Sequence, residues 1–372
     1  MKVLFFHRWV GVHGGGTETH LLELAKRFSQ LGHTITILTR EGERLTDLDK
    51  AIKVIRISKS YRETDHSYND WRVYFYTLLF MFKSMIMLLK LKLGGERYDV
   101  ISVHFVTEAV IARLYRWLFG VPFIFILEGY TPMEAQAAKF ANQRIAISKY
   151  EAMIYKQRHG LVSKLIYIGI DFKKFVLDKE RLGTLRSKLV KKGEFMILTV
   201  CRLEPRKDLL TLIKAADRIR KINGKIKFMI AGTGISKGEI EIEIKKRKLR
   251  STVKMLGFVT DDELPYYYGV ANLFLLTSKE EWFGIVFIEA MAAGLPIVAT
   301  DVDACPEVVA DSGLFFRKSD SVDLTNKLIE VVGDGNLRKT LANNSKKRSL
   351  MFDWEKQIRL YEKEYLEVIK ND

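Results

Sequence analysis

Short apolar runs alternate with amphipathic stretches along most of the chain. In the first half the runs are Val3 to Phe6, Thr34 to Leu38, Val54 to Ile57, Val100 to Val103, Phe123 to Leu127, Arg144 to Ile147 and Leu165 to Ile168. The pattern restarts at Met196 to Val200 and continues through Lys227 to Ala231, Val253 to Leu256, Leu273 to Leu276, Ile297 to Ala299 and Leu314 to Phe316. Runs this short, separated by helical periodicity, predict parallel strands joined by crossover helices. Two such series predict two Rossmann-like, doubly wound α/β domains whose ligands sit outside the carboxyl ends of the strands. Phe172 to Glu194 is charged and lacks strand periodicity, which puts one domain at 1–170 and the other at 171–352. Beyond Asp353, the residues Trp354, Ile358, Tyr361, Tyr365 and Leu366 recur near helical spacing, so 353–372 is expected as a helix that packs back onto the first domain.

Composition adds limits. At 372 residues with 48% hydrophobic content, the chain can bury two ordinary cores. Only Cys201 and Cys305 occur, without metal-ligand spacing, so neither a disulfide framework nor a metal site is expected. Met1 leads into too short an apolar run for a secretory signal, and the expected location is cytoplasmic. The formal charge of +16 points to an anionic partner but does not choose among a phosphate ligand, acidic lipid and nucleic acid. No RNA-binding signature or aromatic-interleaved basic motif supports the last of these.

Three places carry candidate chemistry. In Glu281-Trp-Phe-Gly-Ile-Val-Phe-Ile-Glu289, two carboxylates flank an apolar segment that reads as a buried helix ended by Gly294 and Pro296. An ionised Glu289 there needs hydrogen-bond donors, which a sugar or ribose diol can supply. The backbone amides of Phe283, Gly284 and Ile285 would open that helix and suit a phosphate or sugar oxygen. Arg202 follows the strand Met196 to Val200, and Lys207 stands at or before a first helical turn, where a cation fails to compensate the macrodipole. A diphosphate held by both would account for them. Gly11-Val-His-Gly-Gly-Gly16 precedes an amphipathic helix, where Gly15 and Gly16 permit close backbone approach to a ligand; the spacing matches neither G-x-G-x-x-G nor a Walker motif.

Taken together these pieces resemble the retaining GT-B glycosyltransferases of the family-4 type, also called glycosyl transferases group 1, over nearly the whole chain. The matching residues are Gly15-Gly16-Thr-Glu18 with Leu24-Ala25 and Leu31-Gly32-His33, Arg202-Leu203 with Lys207, Gly257-Phe258-Val259, Glu281 to Glu289 with Ala290-Met-Ala, and Gly294-Leu-Pro296. The resemblance implies a GT-B architecture with an interdomain cleft and a nucleotide-sugar donor such as a UDP- or GDP-sugar. In it Arg202 and Lys207 would hold the diphosphate, Glu289 the ribose, and backbone near Phe258 and Val259 the base. Glu281 with the amides after it would hold the sugar, while Gly15 and Gly16 approach from the other domain. It also implies transfer with retention and without a metal or other cofactor. Departures occur at Asp208, where Gly usually follows the Lys, at Asp303-Ala304 in place of Gly-Gly, at Ile168 in place of Asn, and at Glu128 in place of His. Glu128 would position or deprotonate an acceptor hydroxyl. The remaining readings are a GT-B epimerase or phosphorylase and, outside enzymes, a polyanion or membrane-surface binder.

Residues Val73 to Leu89 are nearly all apolar, and Arg72, Lys83 and Lys90 fall within about 20° of one line on a helical wheel. With a central Lys the stretch is a poor spanning helix. It is expected either to pack on the first sheet or a partner subunit, or to lie in an anionic membrane interface, which would suit a lipid-linked or membrane-presented glycan acceptor at the inner face of the membrane.

Overall fold

The computed structural model describes residues 1–8, 15–40, 50–57 and 71–372, with side chains from residue 75 in the helix that opens at Trp71. Gly11 to Gly14 and the side chain of Arg72 lie outside the described residues. The chain divides into two compact units, one of Met1–Ile168 with Glu355–Asp372, the other Gly169–Trp354.

The first unit holds a seven-stranded parallel sheet. Its strands are β1 (Lys2–Phe6), β2 (Thr34–Thr39), β3 (Lys53–Arg56), β4 (Val100–Val103), β5 (Phe123–Leu127), β6 (Gln143–Ala146) and β7 (Lys164–Leu165), in the order β3-β2-β1-β4-β5-β6-β7. The order reverses between β1 and β4, which register Val3 against Val100. Right-handed crossovers therefore place the helix α1 (Gly16–Gln30) on one face of the sheet and α2 (Trp71–Leu93), α3 (Val106–Phe119), α4 (Pro132–Ala138) and α5 (Lys149–His159) on the other. Side-chain alternation along the strands agrees. Leu4 and Phe6 share a core with Phe80, Leu88, Ala112, Ala135 and Tyr155, whereas Phe5 meets Phe28 of α1. The chain's last helix lies on the same face as α1, with Tyr365 against Phe28 and its hydroxyl 2.7 Å from Ser102.

The second unit holds a six-stranded parallel sheet of β8 (Phe195–Val200), β9 (Ile226–Ala231), β10 (Val253–Gly257), β11 (Leu273–Leu276), β12 (Ile297–Thr300) and β13 (Gly313–Phe316), ordered β10-β9-β8-β11-β12-β13. The charged stretch after residue 171 contributes a short 3-10 turn, Phe172–Phe175, and helix α6 (Lys179–Leu189) to this unit. Helix α7 (Leu209–Ile222) packs Leu212, Ala216 and Ile219 on the sheet. The helices α8 (Lys237–Lys246), α9 (Leu264–Val270), α10 (Ile285–Ala292), α11 (Cys305–Val309), α12 (Ser321–Gly333) and α13 (Gly335–Ser349) follow, and α14 (Trp354–Asn371) closes the chain. Every strand expected from the hydrophobic runs is present, and both sheets are doubly wound. Each switches direction beside its first strand, so the loops after β1 and β4, and after β8 and β11, open at the place where such sheets bind ligands.

Candidate active site

In the second unit, the loops after β8 and β11 are tied together before any ligand arrives. Thr277 Oγ1 donates to the Lys207 carbonyl at 2.8 Å, and the Lys279 amide to the Arg206 carbonyl at 2.7 Å. The Lys207 ammonium, its side chain only 9% exposed, donates to Glu281 Oε2 at 2.5 Å and lies 3.3 Å from Ser278 Oγ, which itself donates to the same carboxylate oxygen at 3.1 Å. The sequence reading gave Lys207 a diphosphate as its partner; the chain supplies one of its own in Glu281. Desolvating either charge singly would be costly, so pair and hydroxyl form a unit. Arg202 is the opposite case: it is about half exposed and pairs with Glu204 Oε1 at 3.1 Å, while Glu204 Oε2 accepts from Arg206 Nε at 2.9 Å.

Glu281 and Glu289 are separated by a turn that needs glycine. Gly284 has φ of 80°, and a Cβ there would come within 2.6 Å of the Phe287 ring, so both conformation and space exclude a side chain. Ile285 then opens α10, and Phe283 is buried against Phe352. Glu289 lies one face of α10 away, partly buried, with Oε2 accepting from the buried Tyr268 hydroxyl at 2.7 Å. Burial pushes its carboxyl up to about 6 against the pull of that hydrogen bond, with Asp261 adding to the rise. No other hydrogen bond to this carboxylate occurs among the described residues. Phe258 is half exposed and Val259 partly buried, just after the positive-φ Gly257 that ends β10. Burial also holds the Cys201 thiol up at about 12 and that of Cys305 well above its ordinary value, so neither supplies a thiolate.

Two of the departures from the family pattern have a common geometry. Asp208 and Asp303 stand where glycines are usual, and both adopt left-handed backbone, with φ of 46° and 47°. Asp is among the few residues that tolerate this region. Each carboxylate then finds local donors. Asp208 accepts from Thr211 and Ser319 and lies 3.6 Å from the Lys279 ammonium, whereas Asp303 Oδ2 accepts the Glu281 amide at 2.9 Å. With the Ala304 amide donating to the Glu281 carbonyl at 3.1 Å, Glu281 is held at both ends of its peptide. The sequence reading missed Asp303, Ser278 and Tyr268 as members of this site. Only the positions after strand ends hinted at the first two; nothing in the chain pairs Tyr268 with Glu289. It also passed over Gly232-Thr-Gly234 after β9, where a Cβ on Gly232 would strike the Cys201 carbonyl at 1.9 Å.

In the first unit, Gly15 is the N-cap of α1 and Gly16 its first residue. The Glu18 carboxylate stands over Gly15, where a Cβ would lie 2.5 Å from Oε2, so the anion at this helix start is the chain's own. Glu128, just past β5, is buried among histidines. His20 Nδ1 from α1 hydrogen-bonds Glu128 Oε1, and His104 Nδ1 after β4 lies 3.4 Å from the same oxygen. Tyr361 Oη of α14 is 3.1 Å from His20 Nε2. Burial would raise the Glu128 carboxyl, but His104 and His20 outweigh it and hold the group well below the usual carboxylate range. A carboxylate held that low is a weak base.

The family comparisons fit this layout. The family model for Glycosyltransferase Family 4 matches residues 14–174, and that for Glycosyl transferases group 1 matches residues 183–348. This chain is a family-4 glycosyltransferase. The glycosyltransferase is 28% identical over 362 residues to an uncharacterized glycosyltransferase of Methanocaldococcus jannaschii, covering 90% of this chain and 89% of that one. It is 29% identical over 226 residues to the alpha-monoglucosyldiacylglycerol synthase of Acholeplasma laidlawii, where the match spans 59% of this chain and 56% of the relative, little more than half its length. Its GT-B fold superimposes on sucrose-phosphate synthase of Thermosynechococcus elongatus with a TM-score of 0.85 at 19% identity, and on HepE of Anabaena, solved in complex with UDP-glucose, with 0.81 at 21%, both over 100% of each chain. Those likenesses concern the fold of the glycosyltransferase.

Proposed function

We propose that this glycosyltransferase moves a sugar from a nucleotide-sugar donor to an acceptor hydroxyl with retention and without a metal or other cofactor, and that the acceptor is lipid-linked or membrane-presented. The observation that carries the reading is the Lys207–Glu281 pair with Ser278, set beside the glycine-opened helix α10. As the bond to the leaving nucleotide breaks, positive charge develops on the sugar and negative charge on the diphosphate. A fixed carboxylate and a fixed ammonium side by side match that separation and need no reorganisation at the moment of reaction. In this assignment Glu281 and the amides of Phe283, Gly284 and Ile285 hold the sugar, and Lys207 with the half-exposed Arg202 meets the leaving diphosphate in place of a metal ion. Glu289 takes the ribose hydroxyls on the carboxylate oxygen that Tyr268 leaves open, and the backbone at Phe258 and Val259 meets the base. Glu128 orients the acceptor. A UDP- or GDP-sugar is the expected donor class.

The acceptor assignment rests on α2 and on the Acholeplasma relative, whose name places its product among glycosyldiacylglycerols. No helix among the described residues is long and apolar enough to cross a membrane. Instead α2 buries Phe80, Ser84 and Leu88 and leaves Phe75, Leu78 and Phe82 more than half exposed, near the exposed Lys83. That arrangement suits peripheral contact with an anionic surface, at the cytoplasmic side.

Calorimetry with UDP, GDP and ADP, followed by transfer assays with their sugars, tests the assignment. Glu281→Ala should depress transfer far more than nucleotide binding, and Glu289→Ala should weaken nucleotide binding itself. Full transfer activity in both variants removes the proposal.

A further inference from the structure

A groove of about 380 Å³ runs between α3 and α4 on the outer side of the first sheet. It is lined by Val106, Val110, Arg113, Met133, Ala137 and Phe140, among others, and its size falls in the range of about 300–1,000 Å³ typical of small-molecule sites. Met133, Val110 and Phe140 are all exposed, so the groove shows apolar side chains to solvent that neighbouring helices leave uncovered. Its single cation, Arg113, stacks its guanidinium 3.3 Å from the centre of the Phe140 ring and has no carboxylate partner among the described residues.

Topology fixes where the groove opens. Val106 and Pro132 are the first residues of α3 and α4, and both line it. Val106 comes two residues after His104, and Pro132 four after Glu128. One end of the groove therefore opens at the strand ends that carry the buried His20–Glu128–His104 cluster.

Charge states what could cover it. Helix α2 packs beside α3 on the same face, and its sequence holds Arg72, Lys83, Lys90 and Lys92 with no acidic residue. Helix α3 adds Arg113, and Arg116 paired with Asp372 at 3.0 Å, and Lys139 follows α4. The acidic residues of α3 and α4 are Glu108, fully buried, and Glu134, partly buried, so the exposed side of the three helices carries cations beside apolar side chains. A second copy of this chain would bring the same cations against themselves. An anionic lipid is complementary to both features.

We infer that the α3–α4 groove holds one hydrocarbon chain of an anionic bilayer lipid, with Arg113 at the level of its phosphate and the chain running toward Val106 and Pro132. This rests on the lipid-acceptor reading above and names the place where the lipid is gripped. The α2 stripe brings the enzyme to the surface, and the groove extracts a single chain from it.

The test uses the whole chain with vesicles of phosphatidylglycerol, doped with a phosphatidylglycerol that carries a photoactivatable diazirine in one acyl chain; crosslinked peptides are mapped by mass spectrometry. Labels should concentrate in residues 106–119 and 132–140. Val110→Trp, which fills the groove from a half-exposed position, should reduce that labelling at least tenfold while vesicle co-sedimentation persists. Arg113→Gln, a fully surface change, should reduce it severalfold and abolish the preference over phosphatidylcholine vesicles. Labelling confined to α2, labelling unchanged in Val110→Trp, or a groove-dependent dimer in lipid-free sedimentation would each overturn the inference. Nucleotide calorimetry on the same samples separates the two readings. Binding of nucleotide without groove labelling defeats the groove alone, whereas groove labelling without nucleotide binding leaves a lipid site and defeats the proposed nucleotide-sugar donor site.

Discussion

Replacing Tyr268 with Phe isolates one hydrogen bond in the proposed ribose site. Its ring is fully buried against Phe274 and Phe175, with centroids 5.7 and 6.4 Å away, and Phe preserves that packing. What is lost is the donor to Glu289 Oε2 at 2.7 Å. A hydrogen bond to a charged acceptor contributes about 1.5–3 kcal/mol, and at 1.36 kcal/mol per unit its loss raises the carboxyl by about one to two pKa units. Starting from about 6, Glu289 in Tyr268→Phe should titrate near about 7.5. At pH 7 the ionised fraction then falls from about nine-tenths to about one-quarter, so nucleotide binding should weaken about fourfold at pH 7 and recover toward wild type by about pH 9. Calorimetric titration between about pH 5.5 and 9 measures this, with Glu289→Gln as the profile that subtracts the phosphate's own titration near pH 6. Coincident wild-type and Tyr268→Phe profiles, once the Glu289→Gln profile is subtracted from each, would refute the reasoning. The same shift has a sign in stability. Because the folded carboxyl titrates above its ordinary 4.5, its contribution of about 2 kcal/mol is present below that value and is lost as pH rises through about 6.

Three further outcomes are expected. Lys207→Met should destabilise the fold by about 3–5 kcal/mol in urea titration, because it strands Glu281 as a buried charge, and Lys207→Met with Glu281→Leu should recover much of that; equal losses in the single and double variants would contradict it. Asp303→Gly keeps the left-handed backbone but frees the Glu281 amide, so transfer should slow by about 5–30-fold, the equivalent of about 1–2 kcal/mol, with nucleotide affinity unchanged; a parallel loss of affinity would show that Asp303 acts elsewhere. Glu128→Gln should narrow the stability gap to wild type as pH falls. The carboxyl is held low by His104 and His20 once burial is overcome, so its stabilisation is present above the ordinary carboxylate range and is lost below it; the same gap at about pH 3 and pH 7 would argue against a charged Glu128.

Most of the proposed donor residues were legible as candidates because they follow strand ends, which the hydrophobic runs mark directly. Arg202, Lys207 and Glu281 each follow such a run, Glu289 lies in the helix after one, and the resemblance implies one ligand for all four. The pairing among them was not legible. Lys207 and Glu281 are 74 positions apart, and their hydrogen bond exists only because β8 and β11 are neighbours at the switch of strand order. The reading of Lys207 as a cation awaiting an anion follows from helix electrostatics alone and overlooks that neighbour. In the same way, Gly15 and Gly16 were read for their close backbone approach, and only the fold shows the Glu18 carboxylate standing over Gly15.

What the sequence determined by itself is local in origin: apolar runs of strand length, helix periodicity, glycines at turns, and a lack of carboxylates along α2. These specify two doubly wound domains and the chemical types available at their open edges, because alternation and propensity act over a few residues. The tertiary structure decided which of those groups meet. Strand order brought Lys207 to Glu281 and His104 to Glu128, burial raised Glu289 and anchored it to Tyr268, and helix packing left a groove between α3 and α4. Burial and proximity are set by the whole chain at once, and no short window of sequence contains them.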